Sequence, residues 1–241
     1  IGFTILLYNL RVKNLKRRQI LQTETIRMIA DAKMSALRAQ MNPHFIFNSI
    51  NSIQQLISVG NKEQALKYLS RFSRMVRLVL ESTRYDTISI SDELKLINLY
   101  MDMEILRFPG KFSYSCKIDS NIDIEKTKIP SMMIQPIIEN AVIHGLLNKK
   151  GSGEILLDLI KESNIIVCTV TDNGIGRLAA TNIKNSRQQK FDSMGLQVIK
   201  ERIDMLQWYS FRKTKLIIKD LVNTDGSAAG TSVRLEIVIE T

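Results

Sequence analysis

The apolar residues of this chain follow a helical period as far as about residue 107 and a strand period beyond Pro109-Gly110. A pattern with one period cannot form the other structure, so the change divides the chain into a helical part and an α+β part. Its 241 residues suffice for one or two domains. The second part predicts strands over 112–118, 154–160, 165–171, 215–220 and 232–239, and helices over 131–145 and 195–208.

The pattern of the first part predicts helices over 11–58, 62–84 and 92–107. Gly60-Asn61 marks the turn after the first helix, and Ser91 is a residue type favoured at the start of the third. The first two helices would form a hairpin with an uncovered apolar seam, which a second copy covers in a dimeric four-helix bundle. We therefore expect a dimerisation domain over 41–90 and a second domain over 91–241.

One of the two histidines of the chain, His44, follows a proline in a stretch rich in amides and aromatics. The helix that contains it has two stripes with 4-3-4 spacing, an apolar one and a polar one. The apolar stripe comprises Ile46, Ile50, Ile53 and Ile57, and the polar stripe comprises His44, Asn48, Asn51 and Gln55. His44 is therefore expected on the exposed face. Pro43 either kinks a longer helix or occupies its first position after an Asn42 cap.

Histidine offers a neutral, nucleophilic ring nitrogen at physiological pH, so His44 is a candidate for a core residue, a ligand or a nucleophile. Asn48 lies one helical turn later on the same face, where it would orient a phosphate or a hydrolytic water. Exposure argues against a core histidine, and the choice between the other roles depends on a partner motif.

Charge is unevenly distributed along the chain. Its net charge is +10, and residues 1–40 hold eight basic against two acidic residues. Because the excess is local, it does not indicate a nucleic-acid-binding surface on the folded body. The apolar run over 1–10 before basic residues over 11–40 predicts the end of a transmembrane helix and a basic juxtamembrane helix, with an ordinary amphipathic start as the alternative. Two isolated cysteines, Cys116 and Cys168, are typical of a reducing cytosol.

A second group of motifs lies in the α+β part. Glu139, Asn140 and His144 occupy one predicted helix, where an amide and an imidazole four residues apart can flank a Mg²⁺–phosphate group. Asp172 ends a predicted strand and suits an exocyclic amine that needs an acceptor. Gly174 and Gly176 follow it and allow close approach of the backbone to a ligand.

Further along, Ser193-Met194-Gly195-Leu196 opens a predicted helix whose free N–H groups can hold phosphate, and Gly230-Thr231 precedes the last strand. Each motif is weak alone, but their order and spacing are specific. Asn140, Asp172–Gly176 and Gly195-Leu196 resemble the ATP-binding boxes shared by gyrase, mismatch-repair MutL and sensor histidine kinases. Residues 40–51 resemble the phosphoacceptor box of the LytS-like sensor histidine kinases.

The resemblance covers roughly 35–240 and implies a helical dimerisation domain followed by a Bergerat-type ATP-binding α/β sandwich. It implies that His44 is phosphorylated, that Asn140 is a Mg²⁺ ligand and that Asp172 accepts the adenine amine of ATP. The matching positions for nucleotide binding are Glu139, Asn140, His144, Asp172, Gly174, Gly176, Gly195, Leu196 and Thr231. Residues 174–195 would form an ATP lid, in which Arg177, Arg187 and Lys190 reach phosphates or remain solvated.

The resemblance further implies a homodimer that passes the phosphoryl group to an aspartate of a response regulator, as the cytoplasmic part of a plasma-membrane protein. Two positions depart from the family pattern. Phe45 follows the histidine where many kinases have an acidic base, so the base is not identified, and Ser193 replaces a glycine of the lid. The rival functions are an ATP-hydrolysing machine with Glu139 as the water-activating base and a scaffold that binds ATP only to change shape.

Overall fold

The structure is a computed structural model that describes residues 11–13, 15–16, 43–82, 84–177, 179–180, 200, 203–204 and 214–239, without the side chains of Pro43 and His44. The main helices of this part are α1 (Pro43–Ser58), α2 (Lys62–Ser82), α3 (Ile90–Arg107) and α4 (Gln135–Asn140), and α4 continues as a π-helix (Ala141–Leu146). The strands of this part are β1 (Thr87–Ser89), β2 (Phe112–Ile118), β3 (Lys128–Pro130), β4 (Gly153–Glu162), β5 (Ile165–Asp172), β6 (Lys215–Val222) and β7 (Ala228–Val238).

Helices α1 and α2 form the predicted hairpin. Gly60 adopts a φ of 77° in the turn, a conformation that favours glycine. The side chain of Asn61 then accepts a hydrogen bond from the backbone N–H of Gln64 at 3.2 Å and so caps α2. The turn predicted at Gly60-Asn61 is confirmed.

Helix α3 begins two residues earlier than predicted. Ser89, rather than Ser91, is its N-cap: its hydroxyl accepts from the backbone N–H of Asp92 at 3.1 Å and donates to the Asp92 carboxylate at 2.8 Å. Ser91 is buried, and its hydroxyl donates to Glu125 at 2.8 Å. The prediction of Ser91 as the cap was wrong because two serines of equal propensity lie close together, and tertiary contacts decide between them.

A five-stranded sheet of order β2-β4-β5-β7-β6 forms the second layer of the fold. Strands β2 and β4 are parallel, and the other neighbours are antiparallel. Buried side chains of three central strands share one face through direct pairings, as in Leu159–Cys168–Leu235. This face packs with α3, α4 and the π-helix in one hydrophobic core. The predicted helical hairpin followed by an α/β sandwich is therefore confirmed, and β1 and β3 add a separate two-stranded ladder.

The face of α1 that packs within the chain differs from the predicted apolar stripe. Phe45 and Ser49 are buried, whereas Ile50 and Ile57 are 41% and 61% exposed. Asn48, which was expected on the exposed face, is instead half-buried, because the polar stripe lies beside Phe45. The periodicity of α1 identifies two apolar faces, and only packing shows which of them the chain itself covers.

The predicted strands are present, and the last one starts earlier than expected. Gly230-Thr231 was predicted to precede it but lies within β7, where Thr231 pairs with Asp172 at the end of β5. The residues predicted as the end of a transmembrane helix, 1–10, lie outside the described part. Among the described residues no helix has both the length and the apolar character needed to cross a membrane.

Candidate functional site

Asp172, at the end of β5, lies at the centre of the site. Its carboxylate is 5% exposed and accepts the backbone N–H of Gly174 at 2.8 Å and that of Thr231 on β7. Both donors come from backbone that the strand pairing holds in place, so the orientation of the carboxylate is determined by the sheet. The structure therefore brings together the predicted residues Asp172, Gly174 and Thr231.

Two glycines allow α4 and the turn after β5 to touch. A Cβ atom on Gly174 would lie 2.5 Å from Cα of Gly145, and one on Gly145 would lie 2.7 Å from Oδ1 of Asp172. The backbone N–H of Ile175 also donates to the carbonyl of Gly145 at 3.1 Å. Gly176, with a φ of 76°, continues the turn beside Ala228. No side chain separates the carboxylate from the end of the π-helix, so main-chain atoms around Gly145 form one side of the site.

The electrostatics of Asp172 follow from its burial. Burial raises the pKa of the Asp172 carboxyl to about 6, against the lowering effect of the N–H groups of Gly174 and Thr231 and of the Lys149 charge. The ammonium of Lys149 donates to the carbonyl of Asn173 at 2.7 Å, which places a positive charge at the edge of the site. At neutral pH the carboxylate is mostly ionised and poorly solvated, a state that a hydrogen-bond donor from a ligand would stabilise.

Asn140 lies at the end of α4. Its Nδ2 donates to the carbonyl of Pro136 at 2.8 Å, so the amide is held with its nitrogen turned back along the helix. The amide oxygen keeps its acceptor capacity for a cation. Its neighbour Glu139 accepts a hydrogen bond from Nε2 of Gln135 at 2.9 Å. Among the described residues no group of three or more His, Cys, Asp or Glu side chains could hold a metal ion.

The helix that carries these residues changes its winding at Ala141. The backbone N–H of Leu147 donates to the carbonyl of Val142 at 3.0 Å, five residues back. His144 lies in this π-helical turn and is half-buried. The predicted helix is confirmed, but its predicted α-helical face is not continuous, because the wider winding rotates His144 relative to Asn140. Such turns occur frequently at functional sites.

Glu93 of α3 supports the start of α4 and was missed from the sequence. It is fully buried, and its carboxylate accepts the backbone N–H groups of Met132, Ile134 and Gln135 at 2.8, 2.9 and 3.2 Å. Met132 has a φ of 56°, so the carboxylate also holds an unfavourable backbone conformation. An acidic residue in phase with the apolar residues of α3 was the signal that could have identified Glu93.

The ring of Phe45 packs α1 against α2 and α3. Its ring centroid lies 5.5 Å from that of Tyr100 on α3 and 6.2 Å from that of Phe72 on α2. Beside this contact is a cleft of about 220 Å³, whose polar wall is formed by Asn48, Glu104, Arg107 and Glu139. Asn48 of α1 and Glu139 of α4 therefore line the same cleft.

Other predicted residues are less informative. The backbone of His44 belongs to α1, but its side chain lies outside the described part, as do Arg187, Lys190, Gly195 and Leu196. Arg177 is described: its Nε and Nη2 donate to the carboxylate of Asp220 at 2.7 and 2.6 Å. In this arrangement Arg177 connects the start of the predicted lid to β6 rather than extending into solvent.

The histidine kinase family model matches residues 32–112, which include all of α1, α2 and α3. The chain is 37% identical over 149 residues to the sensor protein LytS of Staphylococcus saprophyticus, and 34% identical over 151 residues to the sensor histidine kinase/phosphatase LytS of Staphylococcus aureus. Each alignment covers 62% of this chain. Over the matched residues the chain is similar to the LytS-like histidine kinases. It spans 25% of the length of those two relatives.

Two solved structures also resemble this chain. The histidine kinase domain of the blue-light activated histidine kinase EL346 from Erythrobacter litoralis has a TM-score of 0.46 at 14% identity, covering 88% of this chain and 93% of that one. The histidine kinase AdeS of Acinetobacter baumannii has a TM-score of 0.44 at 12% identity, covering 82% of this chain and 98% of that one.

Proposed function

We propose that this chain binds ATP with Mg²⁺, phosphorylates itself on His44 and passes the phosphoryl group to an aspartate of a response regulator. The cleft between α1 and α4 is the observation on which the proposal rests. Asn48, one turn after His44, and Glu139, next to the candidate Mg²⁺ ligand Asn140, line this one cleft. Phosphoryl transfer depends mostly on positioning, and this arrangement brings the acceptor helix to the nucleotide site.

ATP would bind with its adenine amine donating to Asp172. The buried carboxylate, oriented by Gly174 and Thr231, is a hydrogen-bond acceptor with little access to water. Because Gly145 and Gly174 let the main chain approach the carboxylate closely, a flat base bound to Asp172 would lie near backbone atoms. Bound Mg²⁺, held by the amide oxygen of Asn140, would offset the charge of the phosphates. His144, in the π-helical turn, would flank the same phosphate group.

The transfer step uses the lone pair of a His44 ring nitrogen. A bond forms between this nitrogen and the γ-phosphorus, while the bond from that phosphorus to the bridging oxygen breaks and the oxygen leaves with ADP and the bonding electrons. In the second step an aspartate oxygen of the response regulator bonds to this phosphorus, and the phosphorus–nitrogen bond breaks with its electron pair returning to the ring of His44. Asn48, on the same helix as His44, would orient the phosphoryl group or a hydrolytic water in the cleft.

The hairpin supports the proposal of a homodimer. Exposed apolar residues follow α1 and α2 at spacings of three, seven and eleven, which fit the seam of a helical bundle. They are Phe47, Ile50, Ile57, Leu66, Leu69 and Leu80. A second copy of this hairpin would cover them in a four-helix bundle. Attachment to the cytoplasmic side of a membrane through residues 1–10 remains a proposal from sequence.

The deciding experiment incubates the chain with γ-labelled ATP and Mg²⁺, beside the variants His44→Gln and Asp172→Asn. Acid-labile, alkali-stable label on the wild type alone would support a histidine kinase. Steady phosphate release without labelled protein would instead support the ATP-hydrolysing rival with Glu139 as base. Nucleotide binding with neither labelled protein nor hydrolysis would support the other rival, a scaffold that binds ATP only to change shape.

A further inference from the structure

The cleft beside α1 contains a buried carboxylate that the proposed function has not used. Glu104 of α3 is 3% exposed and lines the cleft together with Asn48 and Glu139. Its Oε1 lies 3.6 Å from Nη1 of Arg107, beyond hydrogen-bond distance. Its Oε2 is buried without a hydrogen-bond partner among the described residues. A buried acceptor without a hydrogen bond destabilises the folded chain, and a donor that enters the cleft would supply the missing hydrogen bond.

An aromatic contact brings this carboxylate to the acceptor helix. Phe45, which follows His44 directly, packs on Tyr100 with a centroid distance of 5.5 Å. Tyr100 lies one helical turn before Glu104 on α3, and Asn48 lies one helical turn after His44 on α1. The contact thus pairs the turn of α1 that contains His44 with the turn of α3 that contains Glu104.

We propose that Glu104 accepts the imidazole proton of His44 during phosphorylation; this inference rests on the proposed function. As one ring nitrogen bonds to the γ-phosphorus, the bond to the bridging oxygen breaks and its electron pair leaves with ADP. The ring then carries a positive charge, and the proton on its other nitrogen moves to Oε2 of Glu104. Glu104 supplies the acidic group that the chain lacks at position 45, where Phe45 provides the docking contact instead.

The surroundings of Glu104 suit proton transfer to and from an imidazole. Burial raises the pKa of the Glu104 carboxyl, the Arg107 charge lowers it and the Glu139 charge raises it. Tyr68 of α2 and Tyr100 of α3 are further titratable groups that interact electrostatically with Glu104. A carboxyl whose pKa is raised toward that of imidazole is a better partner for proton exchange than a solvated one.

The test compares single-turnover autophosphorylation in Glu104→Gln and Glu104→Asp with wild type, at saturating ATP and Mg²⁺. Gln preserves the shape of the protonated carboxyl, and we expect it to slow labelling about 10²-fold while ATP affinity stays unchanged. The Asp variant should retain part of the rate. Asp102→Asn, an exposed carboxylate on the same helix, is the matched control and should label at the wild-type rate.

Chemical rescue separates a proton acceptor from a structural residue. In Glu104→Ala, added formate should enter the enlarged cleft and restore labelling, whereas it should not restore labelling in His44→Gln. Labelling of Glu104→Gln at the wild-type rate would overturn the proposal, as would loss of ATP binding in both the Gln and Asp variants. If wild type forms no phosphohistidine, the proposed function itself fails, and that outcome is distinct from either of these.

Discussion

Gly145 and Asp172 approach so closely that a Cβ atom on the glycine would lie 2.7 Å from Oδ1 of the aspartate. The π-helix and the end of β5 thus meet with no side chain between them. We predict that Gly145→Ala displaces the carboxylate and abolishes ATP binding, measured by calorimetry, while circular dichroism shows a folded chain. The matched control is Gly153→Ala, whose Cβ would meet a methyl group of Leu146, the end of a flexible side chain. Equal loss of binding in both variants would contradict this relationship.

A second prediction concerns Asp172→Asn. Asparagine keeps an acceptor for the N–H groups of Gly174 and Thr231, but its amide presents a donor to the adenine amine, so ATP binding should be lost. Without ATP, the unfolding free energy of the variant at pH 7 should nevertheless equal or exceed that of the wild type, because the variant removes a buried charge.

The pH dependence of that stability has a definite sign. The native pKa of Asp172, about 6, lies above the value near 3.8 of an unperturbed carboxyl, so between these values the folded chain binds more protons. Wild-type stability should therefore fall relative to Asp172→Asn as pH rises from 4 to 7, by about 3 kcal/mol in all. Denaturant unfolding of both proteins across this range measures the difference, and parallel curves would contradict the burial of the charge.

Much of this fold follows from sequence periodicity. The alternation over 154–160 and 165–171 predicted paired strands, and β4 and β5 pair there. Asp172 and Gly174 were identified because their motif, which is weak alone, occurs in a specific order and spacing with those at Asn140 and Gly195. The side chain of Glu93 was missed because its partners are backbone N–H groups about forty residues away, which no local pattern reveals.

Two further features depend on tertiary contacts. The π-helix from Ala141 has the composition of an ordinary helix, and only its contact with the turn at Gly174 distinguishes it. Similarly, α1 has apolar residues on more than one face, and the buried one, around Phe45, is determined by aromatic partners on α2 and α3. Periodicity gives the number of faces, and packing assigns each face to a partner.

The third prediction tests the support that α3 gives to the nucleotide site. Glu93→Gln leaves one oxygen for three N–H donors and removes the charge that strengthens these bonds. We expect a loss of about 2 to 3 kcal/mol in unfolding free energy, because hydrogen bonds to charged groups contribute this much. ATP affinity should fall as well, since the start of α4 orients Asn140. The exposed neighbour Asp92, changed to Asn, would weaken only the cap of α3 and should spare ATP binding.

Asn48 provides the fourth prediction. It lines the cleft with Glu104 and Glu139, whereas Asn51, three residues later on α1, is exposed. Asn48→Ala should slow autophosphorylation or the decay of phosphohistidine, both followed with labelled ATP, and Asn51→Ala should leave both rates at the wild-type level. If Asn48→Ala changes neither rate, the proposed orienting role is wrong.

The last prediction concerns the apolar seam of the hairpin. Leu69 of α2 is 44% exposed in the single chain, and in a symmetric dimer each copy would bury it. Leu69→Gln should therefore weaken association by about 1 to 3 kcal/mol, twice the value of burying the 44% of one leucine that is still exposed, with no effect on the folding of the ATP-binding part.

Sedimentation at several protein concentrations measures that change as a rise in the dissociation constant of about 10- to 10²-fold. Ile217 of β6 is similarly exposed, at 49%, and lies on the sheet rather than on the hairpin. Ile217→Gln should leave the dimer intact, because a surface apolar residue outside the seam contributes nothing to the bundle. If both variants weaken the dimer equally, the contact between the copies involves the sheet. If the wild type is a monomer, the proposed four-helix bundle does not form.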